Sequence, residues 1–417
     1  MAGIPSIDVR GTLRKLFPDE WLRRLAYDCG MVRRRRKVDP VALFWTLVLG
    51  FGAGQERTLA GLRRSYVRAT GTRLEESSFY DRFTPGLVQR LKQALGHALT
   101  ATGPCAQSLR GALAGFADVL LADATVVRLH RLLARVYPAT RTNHTRAAVK
   151  LHAVMSVTGA GRQSLRFTAE RRHEVRVLKV GAWVAGRLLL FDLGFFSYGL
   201  FARISAHGGY FVSRLKARAN PTIVAVHRVH RGRARDLVGK PLADVLPGLQ
   251  REVLDVEVEL SFKRRRYRGR RRTDTLRLRL VGLREATSGE YPLYLTHIPP
   301  EKLPAEDLSR TYALRWMIEL LFKELKSSYR LDEIPSRKSA VVEALLYAAL
   351  LTFVASRRLL QVLHEALAEH ARRLKTQRWA RLFATLAPDL ILLVLRPAHE
   401  TRAAGPAPEH PVAPRGP

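Results

Sequence analysis

FADVLLAD, residues 116–123, opens a series of short apolar runs that decides the fold. AAVKLHAVMSV (147–157) follows, and SLRFTAE (164–170) alternates in the manner of an edge strand. A helix-like stretch around His173 to Ala185 leads into LLLFD, which ends at Asp192, and a second, Tyr198 to Ala206, leads into YFVSRLK at 210–216. Three strands followed by two helix–strand units predict a mixed α/β sheet with helices on both faces. Asp123 and Asp192 fall at the carboxyl ends of predicted strands, where α/β sheets place their ligands.

Outward from this core, of the ribonuclease H type, the pattern changes twice. VLDVEVELSF and TLRLRLVGL are period-two strands joined by the basic segment KRRRYRGRRR (263–272), a β-rich insertion whose tip, with Arg264, Arg265, Arg266 and Arg270, suits DNA or is a solvated turn. From Glu301 the chain returns to helix through Leu325 and continues in apolar helices to about Leu395. On the other side, Asp39 and Pro40 form an N-cap and first-turn pair opening VALFWTLVLGF, and Gly50 to Gly54 weaken its far end. Further helices are predicted over Thr58–Ala69 and Pro85–Leu99, and SSFYDRF (77–83) suits a short recognition helix. With the run Arg33 to Lys37 this reads as a DNA-end-binding domain or as a packing domain beside a solvated basic linker. The predicted division is 1–112 helical and end-binding, 113–217 first part of the catalytic core, 218–300 insertion, 301–330 glutamate helix, 331–396 C-terminal helices and 397–417 a disordered Pro- and Ala-rich tail.

Composition agrees with a folded polyanion binder. At 417 residues the chain is long enough for two or three domains, and 47% of it is apolar, while a formal net charge of +35 makes its field strongly positive. Nucleic acid fits that field best, although a ribosomal or membrane-surface protein would share the charge. Cys29 and Cys105 are far apart and lack zinc-ligand neighbours, so neither a disulfide framework nor a zinc site is expected. The N-terminal residues carry no signal-peptide pattern, and the most apolar windows, Val41 to Gly54 and Ala344 to Ala355, fall short of the ~20 residues of a membrane span. A cytoplasmic, nucleoid-associated protein with no membrane partner is the expectation.

The chemistry is most legible in TYALRWMIELLFKELK, residues 311–326. Tyr312, Arg315, Glu319, Lys323 and Lys326 recur at helical spacing along one face, while Leu314, Ile318, Leu321 and Leu325 form a separate apolar stripe. A carboxylate among cations and a phenol suits a metal ligand flanked by phosphate contacts. It also suits a surface helix laced with ion pairs worth only ~0.3–0.5 kcal/mol each.

Tyrosine, two residues, arginine, three residues, glutamate, six residues and lysine is a family signature, complete here in Tyr312, Arg315, Glu319 and Lys326. The sequence resembles the DDE transposases of bacterial insertion sequences, in the insertion-sequence-four group, from about Phe116 to Leu331. The first aspartate of that group sits in an Asp-small-Thr context, matched by DAT at 123–125, and the second is followed by Gly and an aromatic, matched by FDLGFFS around Asp192. Leu193 stands where that group commonly has arginine, a departure that spares the carboxylates. The resemblance implies that Asp123, Asp192 and Glu319 hold two Mg²⁺ ions, with Mn²⁺ as a substitute, for in-line phosphoryl displacement on DNA. It also implies phosphate contacts from Tyr312, Arg315 and Lys326, with Lys323 beside them. Trp316 is a stacking partner for an extruded base or an ordinary core or interface tryptophan. The implied partners are double-stranded DNA, as terminal inverted repeats and target, and further copies of the chain in a homodimer or higher oligomer on that DNA.

Lesser candidates read more simply as structure: His152 as a satisfied core histidine, Asp118 as a strand-entry polar residue, and Asp332 with Glu333 as a helix end, while His173 with Glu174 could approach the metal site. A cut-and-paste transposase is the leading expectation. The alternatives are a decayed transposase or regulator that binds the ends without cutting, and a tyrosine or serine recombinase that would form a covalent link to DNA.

Overall fold

The apolar runs become strands of a single sheet. In the computed structural model, which describes residues 7–32, 37–101, 108–140, 145–159, 163–228, 237–263, 273–334, 336–367 and 374–395, the strands are β1 (Asp118–Leu129), β2 (Ala147–Ser156), β3 (Ser164–Ala169), β4 (Arg187–Phe191), β5 (Tyr210–Arg214), β6 (Thr222–Val226), β7 (Val253–Lys263), β8 (Thr273–Leu283) and β9 (Leu293–Thr296). The helices are α1 (Val9–Leu16), α2 (Asp19–Asp28), α3 (Pro40–Trp45), α4 (Leu59–Thr70), α5 (Glu76–Tyr80), α6 (Pro85–Ala101), α7 (Glu174–Val177), α8 (Tyr198–Ala206), α9 (Leu242–Val245), α10 (Ala305–Ala313), α11 (Trp316–Ser327), α12 (Ser339–Ala366) and α13 (Thr376–Leu395). The chain divides into two units, residues 1–94 with 347–417, and residues 95–346.

The sheet lies in the second unit, in the order β3-β2-β1-β4-β5-β9-β8-β7-β6. β1 pairs parallel with β4, and β4 parallel with β5, while the remaining neighbours are antiparallel. β3 takes the edge position that its alternation predicts. The strands of the 218–300 segment join this sheet through β9 on β5 instead of folding apart. They also share its core: Leu120, Phe191, Phe201 and Phe211 belong to one buried cluster with Val256, Val258, Leu278 and Leu280. Phe201 and Phe211 stack in it with centroids 4.3 Å apart.

Three local expectations are corrected. β1 does not end at Asp123 but runs to Leu129, because β2 accompanies it antiparallel as far as Leu129 opposite Ala147. The predicted helix over 173–185 is only α7 and a single turn at Ala182–Val184, since the backbone turns extended at Leu178 and again at Gly181, with the stiff β-branched Val180 between them. The predicted 301–325 helix starts after Pro304 and is divided at Leu314 and Arg315, where the backbone tightens to three-residue hydrogen bonds from Leu314 to Thr311 and from Arg315 to Tyr312. Residues 264–272, 33–36 and 397–417, on which the basic tip with Arg264, Arg265, Arg266 and Arg270, most of the N-terminal basic run and the tail were read, lie outside the described residues.

In the first unit Asp39 caps α3 as expected, accepting hydrogen bonds from the Val41 and Ala42 amides at 2.8 Å each. The apolar run beyond it stays helical, widening into a π-turn at Thr46–Phe51 that is wholly buried. Gly52 is required here, because a Cβ would lie 1.7 Å from the Thr352 hydroxyl of α12. Arg90 of α6 is fully buried and binds the carbonyls of Pro40 (2.7 Å) and Leu22 (3.1 Å), clamping three helical segments. α12 is 28 residues long, more than its most apolar window suggests, and passes a length-and-composition test for a membrane span. Its most apolar stretch is 83% buried within the protein, as expected of a core helix.

Two buried polar residues brace the strands around β1. Asp118 is 1% exposed, and its carboxylate accepts hydrogen bonds from Ser156 (2.6 Å), the Thr158 hydroxyl (2.9 Å) and the Val119 amide (2.8 Å), pinning the end of β2 to the start of β1. His152 is buried with its Nε2 on the Thr168 hydroxyl at 2.9 Å, a core histidine as read from sequence. Burial, reinforced by Lys150, pushes its pKa down to about 4. Because the unfolded chain protonates near pH 6.5 and the folded chain does not until about pH 4, stability is full above the first value and falls as pH drops between the two. Urea unfolding followed from pH 7 to pH 4 should show that loss, and a folded His152→Asn protein should lose less over the same interval; an identical slope would remove His152 as its source.

Candidate active site

Register brings the two aspartates together. Ala122 of β1 lies opposite Phe191 of β4, so the next residues, Asp123 and Asp192, stand side by side where the parallel pairing stops. Equivalent positions on paired strands point to the same face. Asp123 is therefore within its strand and Asp192 just beyond its own, yet both meet at the carboxyl end of β4. α11 packs across β1 beside them.

Asp123 carries the electrostatic cost of that placement. Burial pushes its carboxyl up to about 6, with Asp192 and Glu319 adding to the rise and the Ala124 amide and Arg315 opposing it. The Ala124 N–H donates to Asp123 Oδ1 at 2.7 Å. Arg315 spans the gap to the third carboxylate: its Nη1 is 3.3 Å from Asp123 Oδ2 and its Nη2 is 2.6 Å from Glu319 Oε1. Burial works against the Arg315 charge, but Tyr312, Glu319 and Asp123 outweigh it and hold its pKa above the ordinary value. The guanidinium thus stands as the positive charge between two acids.

The division of the helix does not scatter the motif. Tyr312 ends α10, buried, with its hydroxyl donating to the Phe191 carbonyl at 3.4 Å, and the Arg315 guanidinium lies 5.7 Å from its ring centroid. Burial, helped by Asp192, pushes the Tyr312 phenol up to about 12, so it stays a neutral donor. Lys326 Nζ donates to the Val126 carbonyl of β1 at 2.9 Å. It also lines a cleft of about 550 Å³ with Arg128, Thr145, Glu170 and Asp332. Lys323 is exposed, and Glu319 pairs with Arg315 instead of with it. Trp316 is 61% exposed and so is not a core residue, and Met317 and Leu320 on the same helix are exposed with it.

Other residues fall into supporting places. Glu174 lies against Gly194, two residues beyond Asp192, but its carboxylate is bound to Lys150 at 2.5 Å, and His173 caps α7 through the Val175 amide. Arg214, at the end of β5 and unremarked in sequence, is near enough for its charge to act on Tyr312. Its signal was available: it is the strand-end residue of the next parallel strand after Asp192. Among the described residues no three His, Cys, Asp or Glu side chains converge closely enough to share a metal ion. Arg315 is the cation that pairs with both Asp123 and Glu319.

Residues 114–354 match the family described as the transposase DDE domain. The chain is similar to the transposase of insertion sequence element IS231B of Bacillus thuringiensis subsp. berliner, 23% identical over 374 residues, covering 81% of this chain and 76% of that one. It is likewise similar to the IS231C transposase of the same subspecies, 23% identical over 398 residues and covering 85% and 80%. Over 73 residues it is 36% identical to the putative transposase InsL of element IS186A of Escherichia coli K12, 18% of this chain and 20% of that one. Among solved structures a cryo-EM piggyBac transposase synaptic complex with hairpin DNA aligns over 97% of this chain and 84% of that one, with a TM-score of 0.44 and 10% identity.

Proposed function

The chain belongs to the DDE-domain transposases, and we propose from that premise that it cuts and rejoins DNA at the ends of an insertion sequence with a metal-dependent site built from Asp123, Asp192 and Glu319. The observation that carries this reading is the register of β1 on β4, which sets two aspartates side by side, with the glutamate of α11 joined to Asp123 through Arg315. Three strands in antiparallel array followed by two parallel ones support a ribonuclease H type of core.

In donor chemistry, though not in spacing, the three carboxylates suit divalent metal. Carboxylate oxygens are the hard ligands that Mg²⁺ takes, and neighbouring half-buried acids whose charges resist one another are relieved by a cation. When bound, two such ions supply activation of a water or DNA 3′ hydroxyl and stabilise the leaving oxygen. Arg315 sets a positive charge between Asp123 and Glu319, and the phosphates of an element end are its competing partner. Drawing the guanidinium onto phosphate frees Glu319 and Asp123 together. Tyr312, neutral and tied to the Phe191 carbonyl, is a hydrogen-bond donor and not a nucleophile. Lys326 and Lys323 add charge along the same helix, and Trp316 offers an exposed ring for stacking. The DNA partners are the terminal inverted repeats and a target duplex, bound by more than one copy of the chain, with the helical first unit contributing to end binding.

The test is nicking of DNA that carries the repeats flanking the gene. Wild type should cleave in Mg²⁺ and not in chelator, and Asp192→Ala should be inactive. Equal cleavage by the two proteins, or a trapped covalent protein–DNA link, would remove the mechanism.

A further inference from the structure

Four residues after Asp192 the chain enters a second cleft, of about 930 Å³, that the carboxylate chemistry does not use. Its floor is aromatic: Phe196 just ahead of α8, Tyr198 at its start, and Phe262 from the end of β7. Tyr198 and Phe262 have ring centroids 6.1 Å apart. Its rim is cationic: Arg203 on α8, Lys216 and Arg218 beyond β5, and Lys263 at the end of β7, all four exposed. Among the described residues the lining includes no carboxylate, and none of the four cations has an ion-pair partner within 4.0 Å. Lys216 Nζ instead lies 5.1 Å from the Phe196 ring centroid.

We propose that this cleft binds unpaired nucleotides of a DNA strand, with bases against Tyr198, Phe196 and Phe262 and phosphates along Arg203, Lys216, Arg218 and Lys263. Unneutralised cations beside a groove select a polyanion. Aromatic faces between them select one whose bases are open to stacking, which a duplex, with its bases stacked on one another, does not offer. The volume lies within the about 300–1,000 Å³ of ordinary ligand pockets, room for one or a few nucleotides and too small for a double helix. The cleft starts in the loop that follows Asp192 and includes the end of β7, the strand that leads to the basic segment, so in the chain it follows directly on the second of the carboxylates. This inference rests on the proposed reading of the carboxylates as the cutting site.

The experiment uses the full chain, a short oligothymidylate and a blunt duplex of unrelated sequence, without metal. Arg203→Ala, Lys216→Ala and Arg218→Ala combined should weaken oligothymidylate binding about tenfold or more and flatten its salt dependence, with duplex affinity changed much less. An oligonucleotide carrying a fluorescent purine analogue should be quenched by the wild-type chain and by Tyr198→Phe, and not by Tyr198→Leu. Equal losses for oligothymidylate and duplex would overturn the cleft in favour of a basic face, and so would unchanged oligothymidylate binding. The three cations are exposed, so they test the cleft even where Tyr198→Leu does not fold. Wild-type chain that binds the oligonucleotide at the cleft yet shows no Asp192-dependent cleavage would overturn the cutting reading alone; normal cleavage with no effect of the cleft variants on binding would overturn the cleft alone.

Discussion

Asp123→Asn is expected to lower metal-dependent cleavage by about a thousandfold or more while leaving the metal-free protein at least as stable as wild type. Both halves follow from one carboxylate. As a metal ligand it supplies part of a charge stabilisation worth several kcal/mol, and each ~1.4 kcal/mol is tenfold in rate. In the fold the same group is largely withdrawn from water beside Asp192 and Glu319, which disfavours its charge. Asparagine keeps the shape, keeps a carbonyl oxygen for the Ala124 amide and removes the repulsion, at the loss of a single ion pair to Arg315. Single-turnover cleavage and thermal melting of the two proteins, each without metal for the melt, decide it. A variant that cuts within tenfold of wild type would show that Asp123 is not a ligand, and a large fall in melting temperature would make it a structural residue.

Asp255→Ala should destabilise the sheet-bearing unit by about 3–5 kcal/mol, because it strands a buried charge. Asp255 of β7 and Arg279 of β8 are only 5% and 4% exposed and form a bidentate pair at 2.8 and 2.7 Å. Arg279 spends its remaining donors on the carbonyls of Ile298 (3.2 Å) and Leu303 (2.7 Å), just ahead of α10. The pair therefore ties the outer strands to the segment that delivers Tyr312, Arg315 and Glu319. Urea unfolding of the full chain measures the loss, and Asp255→Leu combined with Arg279→Met should recover much of it by removing both charges. A loss below about 1 kcal/mol for Asp255→Ala would mean that water reaches Arg279 and that the pair does not brace the helix.

Much of this arrangement was legible in local pattern. Apolar alternation marked the strands, because side chains on a strand repeat every second residue and one face must leave water. The spacing from Tyr312 to Lys326 marked the glutamate segment, and Asp39 with Pro40 marked a helix start that the structure keeps, since a cap acts within three residues of itself. Where propensity alone spoke, as at 173–185 and at the division of 301–325, the prediction overran: tight turns and β-branched residues are settled by what packs on them. Asp255 and Arg279 were invisible because each sits at a period-two position that reads as solvent-facing, and only α10 lying over that face buries them.

The amino-acid sequence by itself determined which residues are acidic, which runs extend and which segment is helical, since these depend on side-chain chemistry and on neighbours within a few positions. Tertiary structure alone decided that Asp123 and Asp192 are adjacent, because that depends on strand register, and that Arg315 reaches Asp123 as well as its helix neighbour Glu319, because that depends on α11 packing across β1.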